Sequence, residues 1–164
     1  MNQKITNRTF IDACIANDIE RVRELIQVVN PAAKSNAAIK WACENGYIEI
    51  VKILLADPRV NPGAQKNVAL QLAIIEKHTE IVRLLLQDPR VDPSDRNNEA
   101  ILTASRHCQI EIIKLLLDHP RVDPNVNNKE ALVWARKFNN TEVIQLLTEY
   151  RFRLDGPIYN QNII

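Results

Sequence analysis

The chain is 164 residues long, 46% hydrophobic and 25% charged, a balance that suits one globular domain or a short repeat array. Its 21 basic and 20 acidic residues leave a net charge of +1, without the basic excess that nucleic-acid binding calls for, so no nucleic-acid partner is expected. Only three glycines occur, at 46, 63 and 156, too few and too scattered for a phosphate-cradling loop.

No apolar run approaches the about 20 residues of a membrane span, and Met-Asn-Gln-Lys-Ile-Thr-Asn-Arg at the start has no apolar signal core. No membrane association is expected, and an intracellular setting is. That setting reduces Asn7-Arg8-Thr9 and Asn139-Asn140-Thr141 to chance matches of the glycosylation pattern. Cys14, Cys43 and Cys108 are odd in number, lack metal-ligand spacing and sit in apolar helical segments, so they read as small buried hydrophobes.

Taken in order, residues 7–29 hold a first, short helical unit. Ala13, Ile19, Glu20, Val22 and Leu25 match Ala42, Ile48, Glu49, Val51 and Leu54 of the next unit at an offset of 29. The charge cluster Glu20, Arg21, Arg23, Glu24 suits an N-terminal cap with a polar outer face. Four further units follow, over 30–60, 61–91, 92–122 and 123–154. Their frame is set by Asp-Pro-Arg-Val-Asn-Pro at 57–62, which returns as Asp-Pro-Arg-Val-Asp-Pro at 88–93 and His-Pro-Arg-Val-Asp-Pro at 119–124, a step of 31 residues each time.

Each unit predicts two helices. The first helices begin near Asn36, Asn67, Asn98 and Lys129. They keep Ala38/Ala69/Ala100/Ala131, Ile39/Leu70/Ile101/Leu132 and Ala42/Ala73/Ala104/Ala135, positions i, i+1 and i+4 of one face. Alanine there lets neighbouring helices approach closely. Asn36, Asn67 and Asn98 are predicted N-caps, and Glu99 and Glu130 follow where the helix dipole favours an anion. The second helices open with Glu49, Glu80, Glu111 and Glu142, are apolar over most of their surface, and are stopped by Pro58, Pro89 and Pro120. In the last unit a core leucine becomes Thr148 and a basic residue becomes Gln145, marking the end of the stack. Residues 150–164 break the pattern but carry Tyr150, Phe152, Leu154, Ile158 and Tyr159. Their first part is expected to fold over the last unit and their end to fray.

Ala-Leu-x-x-Ala in the first helix and Glu-Ile-Val-x-x-Leu-Leu in the second resemble ankyrin repeats over about residues 7–154. Asn45-Gly46-Tyr47-Ile48-Glu49-Ile50-Val51-Lys52-Ile53-Leu54-Leu55 carries the resemblance best. The fold expected is an all-α helix-turn-helix solenoid in one domain, with residues 155–164 as a tail. The family's Thr-Pro-Leu-His opening is absent, its turn glycine becomes Lys77, Cys108 and Asn139, and the step is 31 against a usual 33. The missing residues predict shortened hairpin fingers.

The resemblance implies protein recognition on the concave side, by the fingers and the exposed face of the first helices. One first-helix position holds Trp41, Leu72, Thr103 and Trp134. The last turns hold Glu44-Asn45, Ile75-Glu76, Arg106-His107 and Lys137-Phe138. The finger tips hold Gln65-Lys66, Asp95-Arg96 and Asn127-Asn128. These positions vary from unit to unit while their neighbours stay fixed. The candidate contact residues are therefore Trp41, Glu44, Lys66, Leu72, Ile75, Arg96, Thr103, Arg106, His107, Trp134, Lys137 and Phe138. Tryptophan is a frequent hot-spot residue, although Trp41 and Trp134 also suit a place under the fingers as core. Phe138 suits either the groove or a seat for the tail. Arg106, His107 and Lys137 suggest a basic patch or an ordinary solvated face. Arg59, Arg90 and Arg121, with Asp57, Asp88, Asp92 and Asp123 nearby, form either a salt-bridge ladder keeping the loops in register or an anion-binding ladder.

His78, His107 and His119 fall at unrelated positions, and no Ser or Cys is followed by a base and an orienting acid, so no enzyme, cofactor or metal is expected. The sequence thus predicts a monomeric protein-binding scaffold, adaptor or inhibitor. A targeting subunit that brings substrates to an enzyme complex is the alternative.

Overall fold

The computed structural model describes residues 6–155, the side chains of 126–128 and 151–155 excepted. Its helices follow one another in pairs: α1 (Asn7–Ile15) with α2 (Ile19–Leu25), α3 (Ala33–Glu44) with α4 (Ile48–Leu55), α5 (Ala64–Ile75) with α6 (Thr79–Gln87), α7 (Asp95–Arg106) with α8 (Ile110–Leu117), and α9 (Val126–Lys137) with α10 (Thr141–Asp155). First helices pack on first helices and second on second, giving two layers that run the length of the stack.

The recurring alanines are where that packing needs them. Ala38, Ala42, Ala69, Ala73, Ala100, Ala104, Ala131 and Ala135 are all buried. The second helices supply the bulk of the core, with Leu54, Leu85 and Leu116 fully enclosed. Enclosing each such leucine contributes about 1.5–3 kcal/mol.

Each pair turns through one left-handed residue. Gly46 holds it at φ 77°, and Asn17, Lys77, Cys108 and Asn139 hold it at 54°, 62°, 55° and 52° without glycine. The turn is fixed by one repeated bond. The N–H of Tyr47, His78, Gln109 and Asn140 donates to the carbonyl of Ala42, Ala73, Ala104 and Ala135 at 2.9–3.0 Å, closing the end of the first helix. At Gly46 there is also no room for a side chain, since a Cβ would lie 2.7 Å from the His78 ring.

The connections between pairs differ from the expected hairpins, for no strand occurs among the described residues. Shortened by two residues, they close as tight turns followed by three successive left-handed residues: Lys34-Ser35-Asn36, Gln65-Lys66-Asn67 and Arg96-Asn97-Asn98, at φ 52–61°. Asn36, Asn67 and Asn98 are therefore not N-caps. Asparagine tolerates this backbone region better than most residues, and each side chain is buried facing the next pair. The N–H of Asn61 donates to Asn36 Oδ1 at 2.8 Å, that of Asp92 to Asn67 Oδ1 at 3.1 Å, and that of Asp123 to Asn98 Oδ1 at 2.8 Å. Asn7 accepts from Asn30 N–H at 3.0 Å over 23 residues instead of 25, absorbing the two-residue shortening of the first unit.

The arginines make a second set of ties, to backbone carbonyls. Arg59 donates to the carbonyls of Val29 and Ile26 at 2.9 and 2.7 Å, Arg90 to those of Val60 and Leu55 at 2.8 and 2.7 Å, and Arg121 to that of Val91 at 2.8 Å. Each guanidinium thus satisfies carbonyls near the end of the preceding second helix or in the loop after it. Asp57 and Asp88 grip the arginine of their own loop, at 2.6 and 2.5 Å, and orient it. Among the described residues, the only ion pair joining one loop to the next is Arg121 to Asp92, at 3.6 Å. The row is no anion site, since its guanidinium donors are taken by aspartates and main chain; its ion pairs lie mostly within a loop, so the register between loops is held chiefly by the bonds to main chain. A third set of ties comes from the turn residues: His78 Nε2 bonds the Glu44 carbonyl at 3.1 Å and Gln109 Nε2 the Ile74 carbonyl at 2.6 Å.

These loops predict an acid response. Hydrogen bonds from Arg59 and Arg90 hold the Asp57 and Asp88 carboxyls below their ordinary value of 3.8, and the Ser94 hydroxyl does the same for Asp92. A carboxyl depressed in the folded state adds stability above its unfolded pKa and loses it as pH falls through the folded value. The thermal midpoint should hold level down to about pH 5 and drop below about pH 4. Asp88→Asn should start lower at neutral pH and fall less steeply in acid. A midpoint that is unchanged or higher at pH 3 would refute this account.

The second helices α4, α6 and α8 stop just before Pro58, Pro89 and Pro120, and the last pair has no such proline. Arg151 stands where Pro58, Pro89 and Pro120 stop their helices, and α10 runs on through Asp155. Residues 150–155 therefore extend the helix instead of folding back, and Tyr150 packs against the core. The expectation for 156–164 lies outside the described residues.

Candidate recognition face

The large apolar side chains left in solvent are unevenly placed. Among the described residues they are Ile15, Trp41, Ile75, Val133 and Phe138 on or at the end of the first helices, with Val28 in a loop and none on a second helix. Ile75 and Phe138 keep 46% and 50% of their surface in water, and Trp41 keeps 38%. Leu72 is half-buried between Trp41 and Ile75 in sequence register. Neither tryptophan lies in the core.

Around Trp134 the structure gathers three of the other predicted residues. Its ring stacks on Phe138 with centroids 5.9 Å apart and planes 15° from parallel. The Arg106 guanidinium carbon stands 5.0 Å and Lys137 Nζ 4.6 Å from the indole centroid, so two cations rest on one aromatic surface. Glu130 Oε1 accepts from Trp134 Nε1 at 3.1 Å, and Glu99 Oε1 lies 3.6 Å from Arg106 Nη1. Glu99 and Glu130 were legible only as helix-start acids. Their i+4 and i+7 spacing to Trp134 and Arg106 was the available signal of this second role.

The other candidates divide. His107 and Glu44 are exposed beside this face. Lys66 and Arg96 stand in the left-handed turns and are exposed, with Arg96 Nη2 donating to the Gln65 carbonyl at 3.2 Å across to the neighbouring finger. Lys40 reaches the same finger, 2.7 Å from Gln65 Oε1. Thr103 is the correction. It is 5% exposed and its hydroxyl folds onto Glu99 of its own helix at 3.3 Å, so it supports the face from beneath and offers no contact.

Among the described residues the histidines stand apart from one another. His78 bonds a carbonyl, His119 Nδ1 accepts from the Arg121 N–H at 3.3 Å, and His107 stands apart in solvent. Burial pushes the Cys14 and Cys43 thiols up to about 12, leaving them unreactive. Among the described residues no cluster of His, Cys, Asp or Glu could hold a metal ion, and no helix is long and apolar enough to cross a membrane.

Two helical layers built from a recurring pair, with an apolar and aromatic row along one layer, define a helix-turn-helix repeat solenoid. The family model for ankyrin repeats (3 copies) matches residues 10–97 and again 70–158, and the chain belongs to the ankyrin repeat family. A search of curated proteins finds no match to it. Ankyrin repeats are in general protein–protein interaction modules.

Proposed function

We propose that this chain is a non-catalytic recognition module, a scaffold, adaptor or inhibitor, that binds a partner protein across the exposed face of its first helices. The observation that carries this reading is the concentration of exposed apolar side chains on one layer of a two-layer stack. Trp41, Ile75 and Phe138 stand out beside the buried alanines, isoleucines and leucines that recur on the same helices. Aromatic side chains held in solvent on one layer are what recognition hot spots are commonly built from. Leu72, Arg106, His107, Trp134 and Lys137 complete the central contacts, flanked by Glu44, Lys66 and Arg96.

Affinity capture from a cell lysate tests the reading, comparing wild type with Trp41→Ala/Trp134→Ala. Hot-spot tryptophans are worth about 2 kcal/mol or more each, so the double variant should lose its partner by at least about a thousandfold in affinity. Its helical circular dichroism should persist, because neither ring is in the core. Retention of the same proteins by both would move the interface off this face.

A further inference from the structure

The face is not uniform along its length. Glu44 and Glu76 occupy the ends of α3 and α5, whereas Arg106, His107 and Lys137 occupy the ends of α7 and α9. Glu44, Glu76 and Lys137 take part in no ion pair with a described residue. Arg106 is hardly better matched. Its guanidinium has five donors, and a terminal nitrogen reaches a carboxylate only at 3.6 Å; its Nε is enclosed without a partner among the described residues, so the terminal nitrogens are what it can offer a ligand. The α7–α9 end therefore presents cationic groups whose hydrogen-bonding capacity is mostly unused. They are also pre-placed. Both Arg106 and Lys137 rest on the Trp134 ring, which restricts two long side chains before any ligand arrives. Beside them the half-exposed Phe138 ring extends the apolar surface.

We propose that this end of the face takes an acidic segment of a partner protein. Its aspartate or glutamate side chains would meet Arg106 and Lys137, and an adjacent apolar side chain would lie against Phe138. The inference rests on the recognition reading above and assigns the chemistry of the partner. Charge complementarity favours an acidic occupant over a basic one, since Lys137 has no ion pair with a described residue and Arg106 is held by its glutamate only at 3.6 Å. The same geometry disfavours a nucleic-acid strand. Glu99 and Glu130 sit among the cations and would repel a continuous phosphate backbone, and the two aromatic rings already stack on each other.

The test is fluorescence anisotropy with a short fluorescein-labelled peptide, Glu-Glu-Leu-Phe-Glu-Glu, on the intact chain. Saturable binding that weakens with added salt is expected. Lys137→Glu and Arg106→Gln should each weaken it about tenfold or more, and Phe138→Ala by a similar factor. Lys137→Arg should restore most of the loss. Lys52→Glu, an exposed cation on α4 in the other layer, should change it less than about twofold. Lys137 and Phe138 are exposed, so their variants keep the fold even if Arg106→Gln does not. Absence of saturable binding, equal binding of Lys-Lys-Leu-Phe-Lys-Lys, or indifference to Lys137→Glu would each overturn the proposal. So would tighter binding of a single-stranded polyuridylate, which would assign the patch to polyanions instead. If lysate capture still depends on Trp41 and Trp134 while the acidic peptide fails, the chemistry assigned here is wrong and the recognition face stands. If capture also fails, the recognition reading falls with it.

Discussion

Asn67→Ala is expected to lower unfolding stability by about 3–4 kcal/mol, a large effect for a polar side chain at a turn. Asn67 is 2% exposed and makes three bonds to the next finger. It accepts from the Asp92 N–H at 3.1 Å, donates to the Asp92 carbonyl at 2.9 Å, and donates to the Asp95 carboxylate. Alanine would leave a part-buried N–H and carbonyl without partners, at about 1–3 kcal/mol for each orphaned group. It would also have to hold φ near 60°, where a non-glycine residue is strained by about 1–2 kcal/mol. Asn67→Gly removes the bonds but tolerates the backbone, so it should cost about 1 kcal/mol less than alanine. Asn36 and Asn98 make a single such tie each, so their alanine variants should cost less than that of Asn67. Urea unfolding of the three alanine variants and Asn67→Gly measures all of this. Equal, small losses at every site would show that the left-handed turns stand without their side-chain ties.

Leu85→Ala should cost about 3–5 kcal/mol, the upper part of the range for emptying a buried leucine site. Leu85 is fully buried in α6, which is packed between α4 and α8, so little is free to collapse into the gap. Leu147 holds the same place in α10 but keeps 6% of its surface exposed and borders a surface depression next to Lys129 and Leu132. With no further pair stacked beyond it among the described residues, Leu147→Ala should cost about half as much. Against a total stability of about 5–15 kcal/mol, the central substitution is a large fraction and the terminal one is not. Equal costs at the two sites would mean that the end of the stack is packed as tightly as its middle.

The contrast between these two predictions marks what the sequence made legible. The 31-residue step, the paired alanines and the prolines determine helix positions through local propensity and period, and those helices are present. Leu85 and Leu147 could be recognised as equivalent core residues from spacing alone. Asn67 could not be understood that way. Its role depends on a backbone group 25 residues ahead, and its position before a helix invited the local explanation, an N-cap. The phase of Asn36, Asn67 and Asn98 against Asn61, Asp92 and Asp123 was the signal that would have found it. The same holds for the arginines, whose partners are main-chain carbonyls that carry no residue identity. In the recognition face, variation between units pointed to Trp134, Lys137, Arg106 and Phe138. It also pointed to Thr103, because a short side chain at a variable position can sit below the surface that its longer counterparts reach.

The reach of the ties has a further consequence. The asparagine bonds between 31-residue units span 25 to 28 residues, the arginine bonds 30 to 35, and those of His78 and Gln109 34 and 35. None extends past the adjoining pair. Length is therefore a free parameter of this architecture. A tandem copy of residues 61–91 spliced in after Val91 would find every donor and acceptor it needs on either side, and would move Glu76 farther from Lys137 without disturbing either end. Such a spliced chain would act as a ruler, since a partner that grips both ends of the face would lose hold as the ends separate, whereas one confined to the Trp134 end would not register the change.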